Sequence, residues 1–195
     1  LLTLVPALCS ATTNAQAPAY AWAKFAGNAG GQQASGRAIA VDHSGNVIVA
    51  GVGAPSITWG SITLVNSRQY IVKMNHAGTV LWAKAIPMRP DHLATDGEGN
   101  IYLSSAVQGP ITLDGTPIPG DFSVPSVLLV KYDPMGNVIW FKNHTPGSGQ
   151  ASPGRVMTDA SDNVYLCGAF NTNITIEGIT YPGEPANGSA VFAVS

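Results

Sequence analysis

The chain has 195 residues, 45% of them hydrophobic and 10% charged, with 22 Gly and 14 Pro. That length suffices for a buried core, and so little charge with so many turn formers favours short strands over long amphipathic helices. A formal charge of -2, with nine Lys and Arg scattered along the chain, offers no positive field to hold phosphates and argues against nucleic acid as a partner.

Residues 1–17, "LLTLVPALCSATTNAQA", carry no charge, begin with an apolar run and end in the small-x-small triplet Ala15-Gln16-Ala17. This is the pattern of the back half of a secretory signal peptide. It lacks an initiator Met and a basic leading region, so the start of the signal is expected to be missing. Export to the exterior or the cell surface follows. Acylation at Cys9 is the alternative, but Leu8 is bulkier than the small residue that usually precedes a lipidated Cys. No other segment approaches the roughly 18 uninterrupted apolar residues of a membrane helix. Without Cys9 the mature chain keeps only Cys167, which excludes an internal disulfide. Within "VYLCGAF" that Cys reads as a small buried hydrophobe in a strand.

From residue 18 onward the chain repeats itself. A lone strand D is expected at "AYAWAKF", around Trp22, followed by strand A (about 37 to 42), a tight turn, strand B (about 46 to 52), a connection carrying Ile57-Thr58, strand C (about 69 to 75), a second turn, and strand D (about 79 to 85). "AVDHSGNVIVAG" (40 to 51), "ATDGEGNIYLSS" (94 to 105) and "MTDASDNVYLCG" (157 to 168) align without gaps. Ile111-Thr112 and Ile174-Thr175 occupy the place of Ile57-Thr58 and precede turns at Asp114-Gly115 and Glu177-Gly178, as Ile57-Thr58 precedes Trp59-Gly60. They read as an extra ribbon between B and C. "YIVKMNHAGTVLWAK" and "LLVKYDPMGNVIWFK" supply C, turn and D, while the terminal "FAVS" matches "IVKM" and "LVKY" less fully. Trp22, Trp82 and Trp140 recur in the D elements.

The turns share one grammar. Asp42 and Asp96 stand first, with Gly45 and Gly99 fourth, which suits a type I turn closed by a left-handed residue; the Asp carboxylate accepts backbone N–H groups and Gly takes positive φ at little cost. In the third copy Asp162 replaces Gly, and Asp tolerates that conformation better than most residues. Asn75 to Gly78 and Asp133 to Gly136 repeat the pattern, with Pro134 at the second turn position.

A four-stranded sheet of this size cannot bury both apolar faces alone, whereas sheets stacked radially around an axis cover one another. The fold expected is therefore all-β: a β-propeller of four-stranded antiparallel blades. The copies present make an incomplete arc of about three blades over residues 18–195, ending inside a blade. A ring of three would fall below the roughly four to eight blades that propellers use, so further blades are expected outside this fragment.

"AVDHSGNVIVAG", "YIVKMNHAGTVLWAK", "ATDGEGNIYLSS" and "LLVKYDPMGNVIWFK" resemble the SBBP repeats of bacterial secreted β-propellers, over most of residues 20 to 195. The resemblance implies a scaffold of a large exported or surface-attached protein. It brings no catalytic residues with it.

The chemistry-bearing residues have structural readings. Asp133 to Trp140 and Asn75 to Trp82 are similar to the docking motif of pyrroloquinoline quinone propellers, where the Trp packs between blades, so no cofactor is assigned. The Asp box of sialidases differs by one residue in its spacing. Asp42, Asp96 and Asp159 recur beside Asn46, Asn100 and Asn163, but turn capping accounts for them without calcium. His43, His76, His92 and His144 have no zinc spacing and are expected as solvated loop residues. Asp42, Asp96, Glu98, Asp114, Asp133, Asp159, Asp162 and Glu177 fall in turns, with no nucleophile beside them. Asn143, Asn173 and Asn187 head glycosylation sequons. No catalytic, cofactor or metal residue is assigned.

The expected role is an exported binding or scaffolding module for a protein or glycan ligand. Two alternatives are a quinoprotein-like or glycan-active enzyme with a carboxylate-lined pocket on the propeller axis, and a structural spacer of a large adhesin.

Overall fold

The computed structural model describes residues 21–28, 33–66, 68–120, 124–147, 149–183 and 190–194. The signal expected over residues 1–17, Cys9 and the Asn187 sequon lie outside them. The described residues form strands without helix: β1 (Gly27–Asn28), β2 (Ser35–Val41), β3 (Val47–Val52), β4 (Ser56–Trp59), β5 (Ile62–Val65), β6 (Gln69–Met74), β7 (Val80–Ala85), β8 (His92–Thr95), β9 (Ile101–Val107), β10 (Ile111–Leu113), β11 (Thr116–Ile118), β12 (Ser126–Tyr132), β13 (Val138–His144), β14 (Ala151–Thr158), β15 (Val164–Phe170), β16 (Asn173–Ile176), β17 (Ile179–Pro182) and β18 (Ala190–Val194).

Two antiparallel sheets of four strands, β2-β3-β6-β7 and β8-β9-β12-β13, are followed by a three-stranded sheet, β14-β15-β18. These are the A-to-D blades read from the repeat. Each Ile-Thr element makes its own ribbon, β4 with β5, β10 with β11, and β16 with β17. Gly45, Gly99 and Asp162 take φ of 75°, 80° and 63°, so the third turn keeps its left-handed residue without glycine.

The sheets stack face to face. Ile48, Ala50 and Ile71 of the first sheet meet Ile101, Leu103, Leu128 and Val130 of the second in one core. Tyr102, Val127 and Leu129, on the second sheet's other face, meet Val156, Leu166, Phe170 and Phe192 of the third. The middle sheet is covered on both sides, which is why β9 and β12 are near-continuous buried runs. Burying each Leu or Ile here contributes about 1.5–3 kcal/mol, the largest favourable term available to such small sheets.

Neighbouring blades are also latched by hydrogen bonds. Trp82 Nε1 and Lys73 Nζ both donate to the Pro134 carbonyl of the next blade, at 3.1 and 3.3 Å. Lys84 Nζ reaches the Gly136 carbonyl and Asp114 Oδ2, each at 2.7 Å. One blade further on, Lys142 Nζ meets Glu177 Oε1 at 2.6 Å. The Trp82 ring fills the space above Gly136, where a Cβ would lie 3.2 Å from it.

Several expectations need correction. Residues 22–26 form no strand; only β1 pairs, with β4, because the edge that this segment meets belongs to a ribbon and not to a C strand. Trp22 nonetheless takes the Trp82 position one blade earlier, donating from Nε1 to the His76 carbonyl at 2.8 Å with its ring against Gly78. In β18, Val194 pairs with Leu166, so Phe192 aligns with Tyr70 and Leu128, one residue earlier than the sequence match suggested. His144 is buried at the end of β13, and His92 opens β8 and is half-buried. Cys167 is partly exposed, on the flank of β15 opposite the buried Leu166 and Gly168. Among the described residues β18 has β15 as its one strand neighbour, so the third sheet has no D strand there.

Candidate functional site

The first strand of each blade lies innermost. β8 packs beside both β2 and β14, and hydroxyls tie the three together: Thr95 Oγ1 donates to the Val41 carbonyl at 2.9 Å and Thr158 Oγ1 to the Thr95 carbonyl at 2.7 Å. Between them runs a groove of about 530 Å³. At Val41 and Thr95 it opens into a second hollow of about 410 Å³ formed by the A-B turns.

The two ends of this axial groove differ in charge. At one end stand Arg37, His92 and Arg155, one from each inner strand. Both arginines sit in β-bulges: the pairing of β2 with β3 slips between Gly36 and Ala38, and that of β14 with β15 slips between Pro153 and Val156. A bulge re-aims its residue away from the regular alternation. Arg37 donates from Nε to the Pro90 carbonyl at 3.0 Å and from Nη2 to Asp91 Oδ1 at 3.3 Å. Burial holds the His92 imidazole below its ordinary pKa; the Arg155 and Arg37 charges push the same way and Asp91 opposes them. The floor is aliphatic. Beside it Ile39, Val41 and Met157 are 68%, 57% and 56% exposed, on the faces of the first and third sheets turned away from the middle one.

The other end gathers the turn carboxylates, whose partners commit them to the fold. Asp42 Oδ1 accepts the Ser44 and Asn46 N–H groups at 3.0 and 2.9 Å, and Oδ2 accepts Asn46 Nδ2 at 2.8 Å and Lys73 Nζ at 2.9 Å. Asp96 accepts the Asn100 N–H, Asn100 Nδ2, the Tyr102 hydroxyl and Lys131 Nζ at 2.8, 2.9, 3.0 and 3.3 Å. Burial raises the cost of ionising these two groups, but the Asn and Lys donors outweigh it, and both carboxyls titrate below the usual range. Asp159, exposed on the third blade, is held low chiefly by Asn163 and also by Ser161 and Tyr165. Asp162 Oδ1 accepts the Gly97 N–H of the preceding blade at 2.6 Å.

Of the residues singled out in the sequence, the fold brings Asp42, Asp96, Asp159, Asp162 and His43 to one hollow and places His92 at the far end of the groove. His76 is exposed at a turn. His144 is far down a strand, where burial first and Lys142 second lower its pKa against the pull of Glu177. Asn143 Nδ2 donates to the Pro119 carbonyl, so that sequon nitrogen is already used, and Asn173 Oδ1 accepts the Gly147 N–H. Among the described residues, no group of three or more His, Cys, Asp or Glu is arranged to hold a metal. Arg37 and Arg155 escaped the sequence reading because bulges shift them by different amounts from the aligned turns. The signal was a cationic or imidazole side chain four or five residues before the turn Asp of every repeat.

No family model matches the chain. It is similar to an uncharacterized WD repeat-containing protein of Acanthamoeba polyphaga mimivirus, with 32% identity over 157 residues. The match covers 68% of this chain and 11% of that protein, so the chain spans about a tenth of the relative's length. With its antiparallel four-stranded sheets stacked about an axis, the chain is a β-propeller-like repeat protein.

Proposed function

We propose that this protein is an exported or cell-surface propeller of the bacterial SBBP type, acting as a binding or scaffolding module through its axial groove, with further blades completing the ring. One observation carries the binding role: the groove presents aliphatic side chains beside two arginines, while the nearby carboxylates are consumed by turn hydrogen bonds and lysines. Catalysis by paired carboxylates needs one with a raised pKa to deliver a proton. Here Asp42, Asp96 and Asp159 are all held low. Export is supported by the uncharged, small-residue-terminated stretch at residues 1–17, and a protein partner by the WD repeat description of the relative.

The test has two arms. Fractionation of cells expressing the natural reading frame should find the protein outside the cytoplasm. The purified chain should capture ligands from a peptide and glycan array, and lose them when the groove is filled by Ala40→Trp. A chain that captures nothing would leave only the spacer role.

A further inference from the structure

We infer that the Arg37, His92 and Arg155 end of the axial groove is a carboxylate-binding site, taking the acidic residue of an extended peptide whose aliphatic side chains lie along the groove floor. This rests on the reading of the groove as a binding surface and names its ligand class.

Three observations converge. Arg37 and Arg155 are both bulge residues without a cross-strand partner, on strands that flank β8, so two independent distortions serve one location. Arg37 is half spent, on the Pro90 carbonyl and Asp91. Among the described residues Arg155 donates only its backbone N–H, to Cys167 Sγ, and its guanidinium keeps five donors in a planar fork for a carboxylate. His92 sits between them and feels both charges, with Asp91 as the opposing charge among the described residues.

The floor selects the rest of the ligand. Ala38, Ala40, Leu93 and Ala94 are aliphatic, and no Phe, Tyr or Trp lines the groove. Sugars dock best on aromatic faces, whereas aliphatic side chains gain from burial against aliphatic surface. A peptide is therefore favoured over an acidic glycan. At the far end the exposed Asp159 and Asp162 repel a second anion and fix the direction of the ligand. From Arg37 to Asp42 the strand advances roughly 17 Å, the length of about five extended residues.

The test uses the 195-residue chain labelled with ¹⁵N and ¹³C, and the peptide Ac-Asp-Leu-Ala-Leu-Lys-amide. Saturable binding is expected, with the His92 ring titrating at higher pH in the complex because the bound carboxylate offsets the two arginines. The analogue with Asn for Asp should bind about tenfold more weakly, the loss of one charge-assisted bidentate contact. Arg155→Gln should weaken the Asp peptide by a similar factor without altering thermal unfolding, since its exposed side chain makes no hydrogen bond or ion pair among the described residues; Arg37→Gln provides the second variant. Equal affinity for the Asn peptide, an unmoved His92, or equally tight binding of oligogalacturonate would overturn the assignment. Array capture that survives Arg155→Gln would overturn it while sparing the binding role, whereas capture of nothing would overturn both.

Discussion

Asp96 and Asp159 occupy the same position in consecutive repeats, yet their surroundings predict different responses to Ala. Asp96 is 4% exposed and accepts four donors, including Lys131 and the buried Tyr102 hydroxyl. Asp96→Ala strands that lysine beside an apolar core with only the Tyr102 ring, 5.1 Å from its Nζ, as partial compensation. Removing one member of a buried ion pair costs about 3–5 kcal/mol. For a chain of this size about 2–4 °C of Tm accompanies each kcal/mol, so the melting point should fall by roughly 6–20 °C. Asp159 accepts the same backbone and Asn donors in solvent, with no lysine among the described residues, and Asp159→Ala should lower Tm several-fold less. Differential scanning calorimetry of both variants reads the contrast. Equal shifts would refute the idea that inter-blade burial sets the weight of each turn.

Other expectations follow from the same contacts. The carboxyls of Asp42, Asp96 and Asp133 titrate below the ordinary 3.8, so the stability they supply is complete above that value and drains as pH falls through their lower folded values. Acid unfolding followed by circular dichroism should steepen below about pH 4 and be shallower in Asp96→Asn. His144 is depressed below 6.5 by burial, so the unfolded chain takes its proton first and stability should begin to fall as pH drops under 6.5; His144→Gln should remove that component. The buried Tyr132 hydroxyl has no hydrogen-bond partner among the described residues. Tyr132→Phe should therefore be neutral or stabilise by about 1 kcal/mol in urea titrations. Gly136 combines φ of 85° with the Trp82 ring overhead, and Gly136→Val should cost about 2 kcal/mol or more, read in the same titrations.

Much of the fold was legible because each local signal agreed with the next. Asp42-x-x-Gly45 named a turn, the flanking apolar runs named strands, and the repetition named the stacking. Where the sequence misled, a tertiary partner decided. Trp22 looked like a D strand because "AWAKF" copies "LWAKA", but a strand exists only if an edge receives it, and the edge at hand was β4. Phe192 was misplaced by one residue because "FAVS" is short and register is set by hydrogen bonding to β15. The lysine latches were written in the chain as the Lys that follows each D-element Trp by two positions, but their acceptors, Gly136 and Asp114 or Glu177, belong to the next blade. The cationic end of the groove was hidden for the same reason: Arg37, His92 and Arg155 converge only once three blades share an axis.

The stacking itself is tested most directly by nuclear Overhauser contacts from the indole rings. Face-to-face blades place the Trp82 ring against the Gly136 α-protons and the Trp22 ring against those of Gly78, close enough for strong cross-peaks between residues more than fifty positions apart. Sheets laid edge to edge in a single layer would show neither cross-peak, and that result would contradict the architecture from which the groove derives.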